Sequence, residues 1–123
     1  MSELSEDQIQ IQIMQWAQLV KHDGRPIADY IHHSPNGGKR HIATAKRFKK
    51  MGVKAGYPDL IIDIARGGFH GLRIEIKKEK GGSVSKAQKE RLEMLTEQGY
   101  RAIVCKGFDE TINEIKNYME MWP

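Results

Sequence analysis

The chain has 123 residues and a formal net charge of +4, with 20 lysine and arginine residues against 16 aspartate and glutamate residues. This length predicts one domain over residues 1–123, able to bury a core without disulfides or a structural metal. The single cysteine, Cys105, excludes a disulfide framework within the chain and suits a reducing cytoplasm. The acidic start excludes a secretory signal, and no apolar run approaches the ~20 residues that cross a bilayer.

The first half of the chain predicts two helices and a short strand. The first helix runs from about Ser5, a suitable N-cap, to His22, and residues 27–33 form the strand. The apolar positions at helical spacing are Ile9, Ile13, Trp16, Ala17 and Val20. The second helix runs from about Arg40 to Met51, after a loop over residues 34–38. Its residues expected to face inward are Ile42, Ala45, Phe48 and Met51.

The second half predicts three strands and two helices. Strands over residues 59–65 and 72–78 are joined by a turn at Gly67-Gly68, and a third strand covers residues 100–105. Ser85 and Gln88 match a capping box and begin a helix that ends near Gln98. Asp109 is predicted to cap the last helix, whose apolar stripe comprises Ile112, Ile115, Met119 and Trp122. The order αβαββαβα predicts an α/β domain with a mixed central sheet flanked by helices.

The strand over residues 72–78 carries the most informative polar residues. Strict alternation places Arg73, Glu75 and Lys77 on one face, and Asp59 begins the neighbouring strand directly after Pro58. If the two strands pair, Asp59 and Glu75 approach each other, and a Mg²⁺ or Mn²⁺ ion would relieve the repulsion between their carboxylates. Lys77 would orient or deprotonate an attacking water, or offset negative charge in the transition state. The alternative is a pair of surface strands with ordinary salt bridges.

A block of basic residues precedes this strand pair. Residues 39–54 contain no acid and include Lys39, Arg40, Lys46, Arg47, Lys49, Lys50 and Lys54. Such a block is either a solvated helix face or a phosphate-binding surface. Its position just before Pro58 and Asp59 favours a nucleic-acid partner.

Several motifs in this order resemble the VRR-NUC domain, the virus-type replication-repair nuclease branch of the PD-(D/E)xK superfamily. The main ones are residues 56–60 (GYPDL), 70–77 (HGLRIEIK), 85–88 (SKAQ) and 99–100 (GY). Residues 6–10 also resemble the family's opening helix, and residues 35–40 resemble a loop found in many members. The resemblance implies a restriction-endonuclease-like core over nearly the whole chain.

The resemblance also implies roles for individual residues. Asp59 and Glu75 would be metal ligands together with the backbone carbonyl of Ile76, and Lys77 would be the catalytic lysine. Glu6 would add an acid at the metal site, although compensation of the helix dipole explains it as well. Gln88 would lie near the site, although the capping box alone accounts for this residue.

The implied activity is Mg²⁺- or Mn²⁺-dependent cleavage of branched DNA, as in a Holliday junction resolvase. Small phage-type members of this kind are homodimers, which implies a phage or prophage protein in the bacterial cytoplasm. Trp16 or the final helix, with Met119, Met121 and Trp122, would form the dimer contact, but an ordinary core explains these residues equally well. The alternatives are a flap or nicking nuclease of the same superfamily and a non-catalytic nucleic-acid-binding module.

Overall fold

The fold is described by a computed structural model for residues 3–34 and 42–123. Helix α1 covers Glu6–Leu19 and begins with a capping box between Ser5 and Gln8. The helix is shorter than predicted, because Lys21–His22 (β1) pairs with Arg25–Pro26 (β2) in a small antiparallel hairpin. Asp23 and Gly24 form its turn, and both have positive φ angles, as an Asp-Gly hairpin turn requires.

The described residues form a mixed four-stranded sheet, which confirms the predicted architecture. Its strands are Ile31–His33 (β3), Leu60–Ile62 (β4), Leu72–Lys77 (β5) and Arg101–Lys106 (β6), in that spatial order. The β3–β4 and β4–β5 pairs are antiparallel, whereas β5 and β6 are parallel. A 3₁₀ turn over Ile27–Tyr30 replaces the first part of the strand predicted at residues 27–33. The predicted Gly67-Gly68 turn is confirmed by the bridge between Arg66 and Phe69.

Three more helices complete the fold: α2 (Ile42–Lys50), α3 (Lys86–Glu97) and α4 (Gly107–Met119). Helices α1 and α4 pack on each other and on β5, whereas α3 packs on β6. One face of β5 supplies Leu72, Ile74 and Ile76 to the core. The α1 and α4 residues of that core are Ile9, Ile13, Ala17, Ile112, Ile115 and Tyr118. Cys105 is buried in the same core, and burial raises the pKa of its thiol to about 12, so it behaves as a small apolar residue.

The predicted inward face of the second helix is wrong. Ile42 and Met51 are 73% and 70% exposed, and of the described residues of α2 only Phe48 is half-buried. These apolar residues do have helical spacing. However, α1 and α4 pack mainly on each other and on the sheet, and they do not cover α2. The helix therefore presents its basic residues, and most of its apolar ones, at the surface.

Two predictions at the C-terminal end are also wrong. Asp109 lies inside the first turn of α4, and the helix begins at Gly107, whose φ of +81° sets the sharp exit from β6. The Glu110 carboxylate, rather than Asp109, accepts the hydrogen bond from the Lys106 N–H. Trp122 lies beyond the end of α4 and is 67% exposed, with its ring beside Gly68.

Candidate active site

Strand register brings Asp59 to Glu75. Leu60 pairs with Ile74 across the antiparallel β4–β5 ladder. Asp59, which directly precedes β4, therefore lies opposite Glu75 of β5. The Asp59 Oδ2 atom accepts a hydrogen bond of 2.7 Å from the Ile76 N–H. Asp59 is thereby fixed against the backbone of the strand that carries both Glu75 and Lys77.

The polar face of β5 is buried rather than exposed. Glu75 is 3% exposed and Lys77 is 7% exposed, and the Lys77 Nζ atom lies 3.9 Å from Glu75 Oε2. Burial raises the pKa of the Glu75 carboxyl to about 9, with further contributions from the hydrogen bond and the charge of Asp59, while Lys77 acts in the opposite direction. Ordinary surface salt bridges do not produce such an environment.

A closely spaced carboxyl pair of this kind fits a hard divalent cation. Two neighbouring carboxylates shielded from water repel each other, and a cation between them removes that repulsion. Mg²⁺ and Mn²⁺ are suitable cations because they prefer oxygen donors. Within residues 3–34 and 42–123, no three or more His, Cys, Asp or Glu side chains are gathered tightly enough to hold a metal ion. The carboxyl pair of Asp59 and Glu75 is therefore the centre of the candidate site.

Glu6 lies near enough to influence this pair. It is half-buried in the first turn of α1, and its negative charge contributes to the raised pKa of Glu75. Its effect is smaller than that of Asp59. The structure thus brings Glu6 toward the site but not into the close pair.

The loop that carries Asp59 rests directly on α3. A Cβ atom at Gly56 would lie 2.6 Å from the Ala87 carbonyl carbon and 2.8 Å from the Gln88 nitrogen, and Gly56 has a φ of +76°. Only glycine combines this conformation with such a close approach. Gln88 itself completes the capping box of α3, with its Oε1 atom accepting the Ser85 N–H at 2.9 Å.

Arg73 and Asp63 form a second polar group at the other end of the same face. The Arg73 guanidinium lies 4.4 Å from the centre of the Tyr100 ring, and its Nη2 atom lies 3.8 Å from Asp63 Oδ1. Arg73 also donates to the Leu72 carbonyl at 3.2 Å. Asp63 therefore neutralises Arg73 instead of joining Asp59, which has its own partner in the Ile76 N–H.

The predicted DNA-binding residues that are described lie at the surface. Lys46, Arg47, Lys49, Lys50 and Lys54 are all exposed, on α2 and the segment that follows it. Lys39 and Arg40 lie outside the described residues. Because the described residues of this block are exposed, the fold is compatible with a solvated helix face and with a phosphate-binding surface.

Sequence reasoning did not single out the surroundings of Tyr57. This residue is half-buried between the Gly56 turn and Pro58, and the Arg91 guanidinium of α3 lies 5.8 Å from the centre of its ring. A recess next to the segment that carries Asp59 is lined in part by Val53, Tyr57 and Ile61. The one signal in the sequence was the position of an aromatic residue two places before Asp59.

Comparison with known proteins identifies the family and supports the fold. The model of the VRR-NUC domain matches residues 3–109. A solved structure described as a VRR_NUC domain protein is 54% identical, with a TM-score of 0.87 over 97% of this chain and 91% of the other. None of the curated proteins matches the chain.

The fold and these matches define a nuclease of the PD-(D/E)xK superfamily, and hence a DNA-binding protein. Within that superfamily, the chain belongs to the VRR-NUC family. Among the described residues, no helix has the length and apolar character needed to cross a membrane.

Proposed function

We propose that the protein is a Mg²⁺- or Mn²⁺-dependent endonuclease that hydrolyses phosphodiester bonds in branched DNA, with residues 1–123 acting as one domain. The observation that carries this proposal is the pairing of half-buried Asp59 with buried Glu75, and the buried Lys77 beside them. The family match supports nuclease chemistry, and the electrostatics of the pair support a divalent cation.

The proposed ligands are the carboxyl groups of Asp59 and Glu75 and the backbone carbonyl of Ile76, with Glu6 as an additional acid. A divalent ion bound by this set would lower the pKa of the attacking water and offset negative charge on the phosphate. The chain contributes a rigid arrangement of donors, because the Ile76 N–H holds the Asp59 carboxylate in place. Loss of the Glu75 proton on binding would complete a set of oxygen donors suited to a hard cation.

Lys77 is proposed as the catalytic lysine. Its ammonium group is buried and lies 3.9 Å from Glu75, so its positive charge is directed into the site rather than into solvent. In this position it would orient the attacking water, or stabilise the charge that develops on the phosphate. A preorganised charge of this type is worth far more in a buried site than at a surface.

The role of Gln88 can be separated from its capping function. The capping boxes of α1 and α3 are alike, with Gln8 in α1 occupying the position that Gln88 has in α3. Each Gln→Ala variant is expected to lower the free energy of unfolding by about 0.3–1.5 kcal/mol, measured by chemical denaturation. If Gln88 also takes part in the site, only Gln88→Ala will reduce the cleavage rate in the folded protein. Equal cleavage rates for the two variants would restrict Gln88 to capping.

The exposed lysines of α2 are proposed to bind DNA phosphates. Changing Lys46, Lys49 and Lys50 to glutamine is expected to weaken DNA binding, and to reduce the slope of log affinity against log salt by about 0.9 for each phosphate that is no longer neutralised. The matched control replaces three exposed basic residues elsewhere, Lys21, Arg25 and Lys116, and should leave that slope unchanged. Identical slopes for the two triple variants would place the DNA on another surface.

The proposal also specifies a preference for branched DNA and a homodimeric state. Symmetric cutting of a four-way junction needs two active sites in a fixed relation, which a two-fold dimer provides. The cellular setting we propose is the cytoplasm of a bacterium, where a phage or prophage protein would act in recombination or repair. The buried, unpaired Cys105 suits a reducing compartment.

The test is cleavage of a panel of labelled DNAs with Mg²⁺ or Mn²⁺, together with the mass of the protein in solution. The panel contains four-way junctions, flaps, splayed arms and linear duplexes of matched sequence. The proposal predicts a dimer that cuts four-way junctions by paired incisions. Preferential cutting of flaps would indicate the related flap or nicking activity, and binding without any cutting would indicate a non-catalytic DNA-binding module.

A further inference from the structure

A recess lies beside the candidate active site, on the side of β3. Its volume is about 240 Å³, and its wall is mostly apolar. The residues that line it include His32, Ser34, Val53, Lys54, Tyr57 and Ile61. This volume is below the ~300–1,000 Å³ of pockets for drug-sized ligands, and it suits a single ring system.

Hydrogen bonds connect the recess to Asp59. The Ser34 N–H donates to the Asp59 carbonyl oxygen at 2.8 Å, and the His33 Nδ1 atom lies 3.2 Å from the same oxygen. His32 pairs with Ile61 in the β3–β4 ladder, and Ile61 lies on the same side of the sheet as Asp59 because the two residues are two positions apart along the extended chain. A group inside the recess would therefore lie on the same face of the sheet as the Asp59 and Glu75 side chains.

The rim of the recess has the charge that a DNA strand requires. Lys54 lines it, and the exposed basic residues Lys49 and Lys50 at the end of α2 precede it closely in the chain. An apolar floor with an aromatic wall and a cationic rim matches a nucleotide, whose base is flat and largely apolar on its faces and whose phosphate is anionic. A peptide or lipid would match only part of this combination.

Tyr57 is held as one wall of this recess. The guanidinium of Arg91 on α3 lies 5.8 Å from the centre of the Tyr57 ring, within the range of a cation–π contact. Arg91 is not among the residues that line the recess. The ring therefore connects α3 with the recess.

We infer that this recess receives one unpaired nucleobase of the DNA substrate, stacked on Tyr57, while Lys54 contacts the adjacent phosphate. The inference rests on the proposed nuclease function and extends it, because DNA at a branch point can supply a base that is unpaired or extruded from its stack. It makes Tyr57 a specificity-determining residue for the strand that enters the site. A base fixed there positions the neighbouring backbone at the Asp59–Glu75 pair.

Binding of splayed-arm DNA without divalent metal tests the inference. Fluorescence anisotropy is measured for a DNA with normal unpaired arms and for the same DNA with abasic sites throughout those arms, which keeps every phosphate. The wild-type protein is expected to bind the abasic DNA about 5- to 150-fold more weakly, as for the loss of one stacked base. Tyr57→Ala is expected to bind the two DNAs with equal affinity, and Tyr57→Phe is expected to retain the difference.

A second variant protects the test against misfolding of Tyr57→Ala. Val53→Trp fills the recess from a half-buried position in the segment after α2, and it is expected to remove the base-dependent difference while keeping affinity for the abasic DNA. Equal binding of both DNAs by the wild-type protein would overturn the inference, as would a difference that persists in Tyr57→Ala or Val53→Trp. Because no cleavage takes place in this assay, cutting by the wild-type protein with Mg²⁺ tests the nuclease proposal separately.

Discussion

An Asp59→Asn variant is expected to bind branched DNA with nearly wild-type affinity and to cut it at least about 100-fold more slowly. Asparagine keeps an oxygen that can accept the hydrogen bond from the Ile76 N–H, so the β4–β5 junction is preserved. The substitution removes the negative charge that the proposed cation requires. Single-turnover cleavage of a labelled four-way junction with Mg²⁺ and with Mn²⁺ measures the effect.

The matched control for this variant is Asp63→Asn. Asp63 is near Asp59 in sequence, but it lies 3.8 Å from Arg73 and its side chain is 67% exposed. Its replacement is expected to leave the cleavage rate within a few-fold of wild type, because Asp63 is mostly exposed and the buried Arg73 keeps its contacts with the Tyr100 ring and the Leu72 carbonyl. Normal cutting by Asp59→Asn, or equal loss in both variants, would contradict the assignment of Asp59.

The second large effect is expected for Gly56→Ala. The new Cβ atom would lie under 3 Å from the backbone of Ala87 and Gln88, neither of which can move without shifting the start of α3. The positive φ of Gly56 adds backbone strain of about 1–2 kcal/mol. Overpacking is expected to lower the free energy of unfolding by about 1–3 kcal/mol more, and to displace the loop that carries Asp59. Urea denaturation measures the stability, and junction cleavage reports the displacement.

Gly52→Ala is the control that measures the cost of backbone strain without overpacking. Gly52 also has a positive φ, but a Cβ atom there would have no neighbour within 4 Å among the described residues. This variant is expected to lose only the strain energy and to keep its cleavage activity. If the two variants lose the same stability, the contact between Gly56 and α3 does not constrain the site.

The features that the sequence predicted correctly depend on a few adjacent residues. The capping boxes at Ser5 and Ser85 and the Gly67-Gly68 turn are encoded locally, and the structure contains all three. The approach of Asp59 to Glu75 was expected on condition that the two strands pair through the Gly67-Gly68 turn, and the structure contains that pairing. The resemblance to the VRR-NUC domain pointed to the same residues.

The features that were missed depend on contacts between segments far apart in the chain. Helical spacing identified an apolar side of α2, but spacing carries no information about whether another element covers that side. Alternation separated the two faces of β5, but it could not reveal that Glu75 and Lys77 are buried. The cap of α4 was assigned to Asp109 because its side chain suits that role, whereas the positive φ of Gly107 starts the helix earlier.

The most direct measurement is anomalous X-ray diffraction from crystals of the protein grown with Mn²⁺. We expect one strong peak within coordination distance of a carboxylate oxygen of Asp59, a carboxylate oxygen of Glu75 and the carbonyl oxygen of Ile76, and loss of that peak in Asp59→Asn. A well-ordered site in which the manganese binds elsewhere, or in which the peak persists without the aspartate, would contradict the proposed metal site.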